Sequence, residues 1–170
     1  GPLMVRPADD SEALLPEDEV ILVLSDMGID DDGHLVDPDS GGDLGALFGR
    51  EGNVILANGR RRPTLHIRSG VSQRWRIVNA GSARFYRLSL PGHRFTVIGT
   101  DGGMLPTPRT LDELLVVPGD RVDFLVDAVA PPGTRAALRN LPYSRGHGAG
   151  VFDAADVLAV AYTADAPLPA

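Results

Sequence analysis

Apolar and polar residues alternate with a period of two through much of the chain. In Arg121 to Asp127, Val122, Phe124 and Val126 share one face while Asp123 and Asp127 point the other way, the signature of a strand with one buried and one wet side. Likewise Trp75 and Ile77 oppose Arg74 and Arg76, and Leu65 and Ile67 oppose His66 and Arg68. Strand-like runs cover Glu19 to Ser25, Val54 to Ala57, Thr64 to Arg68, Gln73 to Val78, Arg84 to Leu90, Arg94 to Ile98, Glu113 to Val117, Arg121 to Asp127, Arg135 to Asn140 and Val157 to Thr163. That spacing predicts an all-β sandwich or barrel. Half-exposed strands of this kind pair antiparallel.

Turn chemistry separates the runs. Asn58-Gly59 and Asp32-Gly33 supply positive φ for tight turns, and Pro91-Gly92, Pro118-Gly119 and Pro132-Gly133 preset a turn's first dihedral. Residues 37–52 form a long loop with one helical turn expected at Asp43 to Phe48. A loop of this length in a compact domain commonly packs or binds something. No long amphipathic helix or internal repeat is present. The longest apolar runs, Val20 to Leu24 and Leu114 to Val117, are strand-sized, and neither a signal peptide nor a transmembrane helix is expected. Residues 1–18 are polar, acidic and aperiodic and read as a lead-in linker, with Gly1-Pro2-Leu3 ahead of Met4 as a protease-cleavage scar. The expected domain therefore runs over 19–165, with a tail at 166–170.

At 170 residues and 18.0 kDa the chain is long enough for one domain with a real core. Its 43% hydrophobic and 23% charged residues are ordinary globular usage, and 20 Gly with 14 Pro fit many turns. A net charge of −7 argues against nucleic acid or an anionic membrane as partner. The absence of cysteine removes disulfides, thiolate nucleophiles and every Cys-ligated metal site, blue copper included.

The remaining chemistry is sparse. His34, His66, His93 and His147 never fall at ligand-pair spacing, and His147 sits in the Gly-rich SRGHGAG loop. Asp30, Asp32 and Gly33 match three positions of a calcium loop, but the first ligand position is Gly28, so a hairpin tip is expected. Arg60-Arg61-Arg62 lacks interleaved aromatics and reads as a solvated turn. Asp123 and Asp127 lie on a wet face with nothing evident to shift either carboxyl. Gly41 to Gly49 spells neither a dinucleotide nor a phosphate loop, and no G-x-S-x-G elbow occurs. Asp101-Gly102-Gly103 reads as a turn, and Trp75 as a core anchor. No catalytic, cofactor-binding or metal-ligating residue is assigned.

Taken in order, EVILVLSDMGIDDDGHL (19–35), NVILANGRRRPTLHI (53–67), QRWRIVNAGSARFYRLSL (73–90), HRFTVIGTDGGML (93–105) and LLVVPGDRVDFLVDA (114–128) resemble the middle cupredoxin-type domain of three-domain multicopper oxidases, the laccase group. The resemblance runs nearly continuously from Glu19 to about Thr163. It implies a Greek-key β-barrel or sandwich, mostly antiparallel, between a first and a third cupredoxin domain that carry the copper through His-x-His pairs and a Cys flanked by His. Those motifs are missing here, so no residue carries over as a ligand and copper belongs to the parent alone. The implied parent oxidises phenols, aromatic amines or metal ions and reduces dioxygen to water, in the periplasm or outside the cell.

The implied role of this piece is a non-catalytic spacer whose partners are the flanking cupredoxin domains. The 37–52 and 141–152 loops are its candidate contribution to a substrate cleft. The alternative is a copper-less scaffold of the same fold, as in bacterial cell-division relatives. A stand-alone module binding a small ligand or metal at His147 is the third reading. Separated from its neighbours, the domain is expected to expose apolar surface and to self-associate.

Overall fold

The structure is a computed structural model that describes residues 2–6, 8–9, 12–146 and 150–164. His147 and the 166–170 tail lie outside the described residues. In chain order the elements are β1 (Glu19–Met27), a 3-10 turn (Pro38–Gly41) running into α1 (Gly42–Phe48), β2 (Val54–Ala57), β3 (Thr64–Arg68) and β4 (Ser72–Asn79). They continue as β5 (Tyr86–Ser89), β6 (Phe95–Thr100), β7 (Gly103–Leu111), β8 (Leu114–Val116), β9 (Arg121–Asp127), β10 (Arg135–Leu141) and β11 (Ala155–Thr163).

These strands form two sheets, ordered β2-β1-β4-β9-β6-β7 and β3-β11-β10-β5-β8. The two-sheet, strand-dominated architecture is the one the alternation predicts. Two pairings, β1 with β4 and β3 with β11, are parallel, which corrects the antiparallel expectation at those places. Parallel neighbours need a long crossover, and the chain supplies it between Met27 and Ser72 and between Arg68 and Ala155.

Inward-facing residues of both sheets make one core. Trp75, Tyr86, Phe95, Phe124, Leu24, Ile77 and Leu138 are fully buried within it. Phe124 packs 6.0 Å from Trp75 and edge-on to Phe95 at 5.2 Å, centroid to centroid, within the range where aromatic pairs add to simple burial. The Trp75 indole N–H is satisfied by the Gln73 side-chain oxygen at 3.1 Å.

Two local expectations fail, each for a physical reason. β4 is an interior strand, and its outer face is covered: Arg74 is only 3% exposed where a wet position was expected. The cover is the lead-in segment, whose Glu12 accepts a hydrogen bond from Arg74 Nη2 at 2.8 Å. Asp123 accepts from Arg74 Nε at 3.0 Å. Arg76 joins the same network through Glu19 at 2.7 Å. Asp123 is therefore an ion-pair partner and not a bare wet carboxylate. The Arg74 hydrogen bond, helped by the charges of Arg74, Arg76 and Arg6, holds Glu12 below the usual carboxylate range against the opposing effect of burial. The second miss is β7. No strand-like run was expected over 103–111, yet β7 forms there with Pro106 and Pro108 in it, because it is an edge strand, where missing ladder donors are tolerated.

Candidate functional site

The two loops singled out from the sequence meet at one end of the sandwich. The expected helical turn forms α1 (Gly42–Phe48), and Arg145 of the 141–152 loop reaches its C-terminal end. Arg145 donates from Nη1 to the Phe48 carbonyl at 2.7 Å and from Nη2 to the Gly49 carbonyl at 3.3 Å. A guanidinium there satisfies carbonyls left without helical partners and faces the negative end of the helix.

Behind that contact lies a buried charge cluster. Arg84, 2% exposed, sits in the β4–β5 connection with Nε 3.2 Å from Asp26 and Nη1 3.2 Å from Glu51. It also donates to the Gly52 carbonyl, and its guanidinium lies 4.7 Å from the centre of the Phe152 ring. Asp26 accepts the Gly52 N–H at 2.5 Å, and Glu51 lies 2.7 Å from Arg145 Nε. One core arginine thus joins β1, the 37–52 loop and the 141–152 loop. Burial pushes the Glu51 carboxyl above its ordinary value. The charges of Arg84 and Arg145 pull it back, and Asp26 adds to the rise. Burial, with the neighbouring Asp26 charge, likewise raises the Tyr86 phenol, whose hydroxyl donates to the Ser25 carbonyl at 2.8 Å.

The turn at residue 52 requires glycine, because a Cβ there would stand 2.2 Å from the Met27 carbonyl carbon. That close approach seats the 37–52 loop against the end of β1. Between α1 and the 141–152 loop a cavity of about 230 Å³ remains. Leu44, Phe48 and Phe152 line its apolar part and Arg50, Glu51 and Arg145 its polar part. Leu44, Leu47, Phe48, Val151 and Phe152 all keep substantial exposure here, with Leu47 75% exposed. The arrangement is suited to contact and binding: both carboxylates are consumed in ion pairs.

The other sequence candidates lie apart. His34 stands on an exposed hairpin tip, where Asp30 accepts the backbone N–H groups of Asp32 and His34 at 3.0 and 2.7 Å, so the acidic run is a turn. His66 is on the exposed face of β3. His93 meets the Pro91 carbonyl through Nδ1 at 3.0 Å and the Tyr162 hydroxyl through Nε2. Arg60, Arg61 and Arg62 are exposed in a turn. Asp101 accepts from Arg121 Nε at 2.6 Å, Asp127 ends β9 in solvent, and Trp75 is core as expected. Sequence reasoning passed over Asp26, Glu51, Arg84 and Arg145, although Arg84 shares its parity with Tyr86, Leu88 and Leu90 and so points inward.

Comparison with known proteins places this architecture. The multicopper oxidase family model matches residues 18–147. The chain belongs to the multicopper oxidase family. It is 30% identical over 178 residues to a laccase of Bacillus subtilis, covering 99% of this chain and 34% of that protein. It is 31% identical over 159 residues to the cell division protein FtsP of Xenorhabdus nematophila, covering 90% and 31% respectively. Among solved structures, the McoA multicopper oxidase 2F4 variant from Aquifex aeolicus superposes with a TM-score of 0.73 at 33% identity, over 89% of this chain and 34% of that one. The chain thus spans about a third of the length of these multicopper-oxidase relatives, consistent with a single cupredoxin-type domain.

Copper, the family's metal, finds no fitting donor set among the described residues. A blue-copper centre requires a thiolate, and the sequence has no cysteine. Among the described residues no three His, Asp or Glu side chains converge on a point where a metal could sit. His93 already has both ring nitrogens engaged.

Proposed function

We propose that this chain is the copper-free middle domain of a laccase-like multicopper oxidase, a packed spacer that sets the pose of a first and a third cupredoxin domain. One observation carries the reading: a chain aligned over nearly its whole length with a third of a laccase lacks the sulfur ligand of the family's chemistry. In the parent the reaction is one-electron oxidation of phenols, aromatic amines or metal ions, coupled to reduction of dioxygen to water. The parent acts in the periplasm or outside the cell. No helix among the described residues is long and apolar enough to cross a membrane, and the acidic chain offers nothing to nucleic acid.

Within the parent, the end built from α1 and the 141–152 loop forms part of the wall of the substrate cleft. Exchanging either loop in the intact enzyme is expected to change substrate preference, and an unchanged preference would remove that assignment.

A second reading has its own support, since several relatives are cell division proteins named FtsP. In that reading the whole parent is a copper-less scaffold. Copper analysis of the full-length parent separates the two: a full copper complement with phenol turnover identifies an oxidase, and a copper-free folded protein identifies a scaffold.

A further inference from the structure

The turn that follows β2 holds the one Asn-Gly pair of the chain, Asn58-Gly59. Their φ values of 50° and 73° are those of a two-residue turn with both central residues left-handed. Ala57 and Arg60 close it by exchanging backbone hydrogen bonds at 2.9 and 3.0 Å. Asn58 then carries the pairing with β1 beyond the last β1–β2 partners, Leu24 and Ala57. Its backbone N–H donates to the Val23 carbonyl at 2.9 Å, its Oδ1 accepts the Val23 N–H at 2.8 Å, and its Nδ2 donates to the Ile21 carbonyl at 2.9 Å. The carboxamide thus stands in for a peptide group at the sheet edge.

An Asn-Gly pair is also the sequence in which an asparagine reacts most readily with its own backbone, because glycine puts no side chain in the way of its amide nitrogen. The Gly59 nitrogen forms a bond to Asn58 Cγ, the Cγ–Nδ2 bond breaks, and the amide proton departs with Nδ2 as ammonia. The resulting succinimide takes up water and opens to aspartate or isoaspartate. Water is the only co-reactant, and both residues are exposed to it. In the folded chain Cγ reaches the Gly59 nitrogen only after Oδ1 and Nδ2 release Val23 and Ile21. The other three asparagines precede Val54, Ala80 and Leu141, and two of them, Asn79 and Asn140, are buried.

We propose that Asn58 is a deamidation site gated by the β1–β2 edge: opening of that edge frees the carboxamide, and the product cannot close it again. An aspartate has no donor for the Ile21 carbonyl and sets a negative charge against it. An isoaspartate lengthens the main chain inside the turn that the Ala57–Arg60 pair closes, so its carboxylate no longer lines up with Val23. β2 is an edge strand of four residues, and short edges open locally at low cost. The inference stands apart from the spacer reading, and its failure leaves that reading untouched.

The test incubates the 170-residue chain in mildly alkaline buffer, folded and in urea, and follows its tryptic peptides by mass spectrometry with separation of the aspartyl and isoaspartyl products. In urea, conversion at Asn58 is expected ahead of Asn53, Asn79 and Asn140. In the folded chain it is expected to be slower by roughly tenfold or more, the effect of two hydrogen bonds that must break first. Asn58→Asp supplies the product directly, and the backbone amides of residues 23 and 58 are expected to lose roughly tenfold or more of their protection against deuterium exchange. Equal rates in the folded and unfolded chain, earlier conversion of another asparagine in urea, or unchanged protection at residues 23 and 58 in the Asn58→Asp chain would each overturn the inference.

Discussion

Every one of the sixteen basic residues is arginine, and the buried ones act as planar, multi-partner joints that a lysine could not replace. Arg84 is the clearest case. Replacing it with alanine strands Asp26 and Glu51, the latter with its carboxyl already pushed up by burial. A loss of about 3–5 kcal/mol is expected, the cost of breaking a buried pair by removing one partner, read by urea denaturation. Adding Asp26→Asn and Glu51→Gln to Arg84→Ala is expected to recover part of it. A loss within experimental error for Arg84→Ala would mean that the cluster does not hold the loops. At this scale the sequence was readable where one rule applied: Trp75 is large, apolar and in phase with Ile77, and it anchors the core. Arg74 was misread because alternation reports which face a residue occupies and is silent on what covers that face.

Elements inherit their positions from a few such contacts. Gly52 lets the 37–52 loop pass against β1, so Gly52→Ala is expected to cost at least about 1–3 kcal/mol, the range for forced overpacking, and to disturb the amides of residues 26–29. An alanine variant with parental stability would show that the close approach is not required. The lead-in segment is tied to β4 through Glu12. Its folded pKa lies below the ordinary 4.5, so its contribution is complete above that value and disappears as the pH falls through the lowered one. Glu12→Gln is therefore expected to lose about 1 kcal/mol at neutral pH and to match the parent at strongly acidic pH, with proteolysis of residues 12–18 as the readout of detachment. An undiminished difference at low pH would contradict the assignment. Three strands, β2, β3 and β9, were legible to the residue because alternation and turn chemistry agree at both ends. β7 was not, because proline means an edge strand only once the sheet order is known. The meeting of the two loops was equally hidden, since Arg145 and Phe48 are 97 residues apart.

The described residues form a two-sheet sandwich with apolar residues still in solvent at one end, Leu44, Leu47, Phe48, Val151 and Phe152 among them. In the parent this end is expected to lie against other protein or the substrate. For the chain by itself, concentration-dependent association in sedimentation is expected, and replacing Leu47 with glutamate should reduce it. A strict monomer at high concentration would argue that the end is not a contact surface. Family and fold were legible from ordered motifs spread over most of the chain, whereas function was not, because the decisive chemistry is a ligand set that this segment lacks. The most direct test is to titrate Cu(II) into the purified 170-residue chain, record its visible spectrum, and assay phenol oxidation under dioxygen. Neither an intense blue thiolate–copper band nor turnover is expected; a saturable blue band or catalytic phenol oxidation by the chain alone would contradict the proposed role of copper-free spacer.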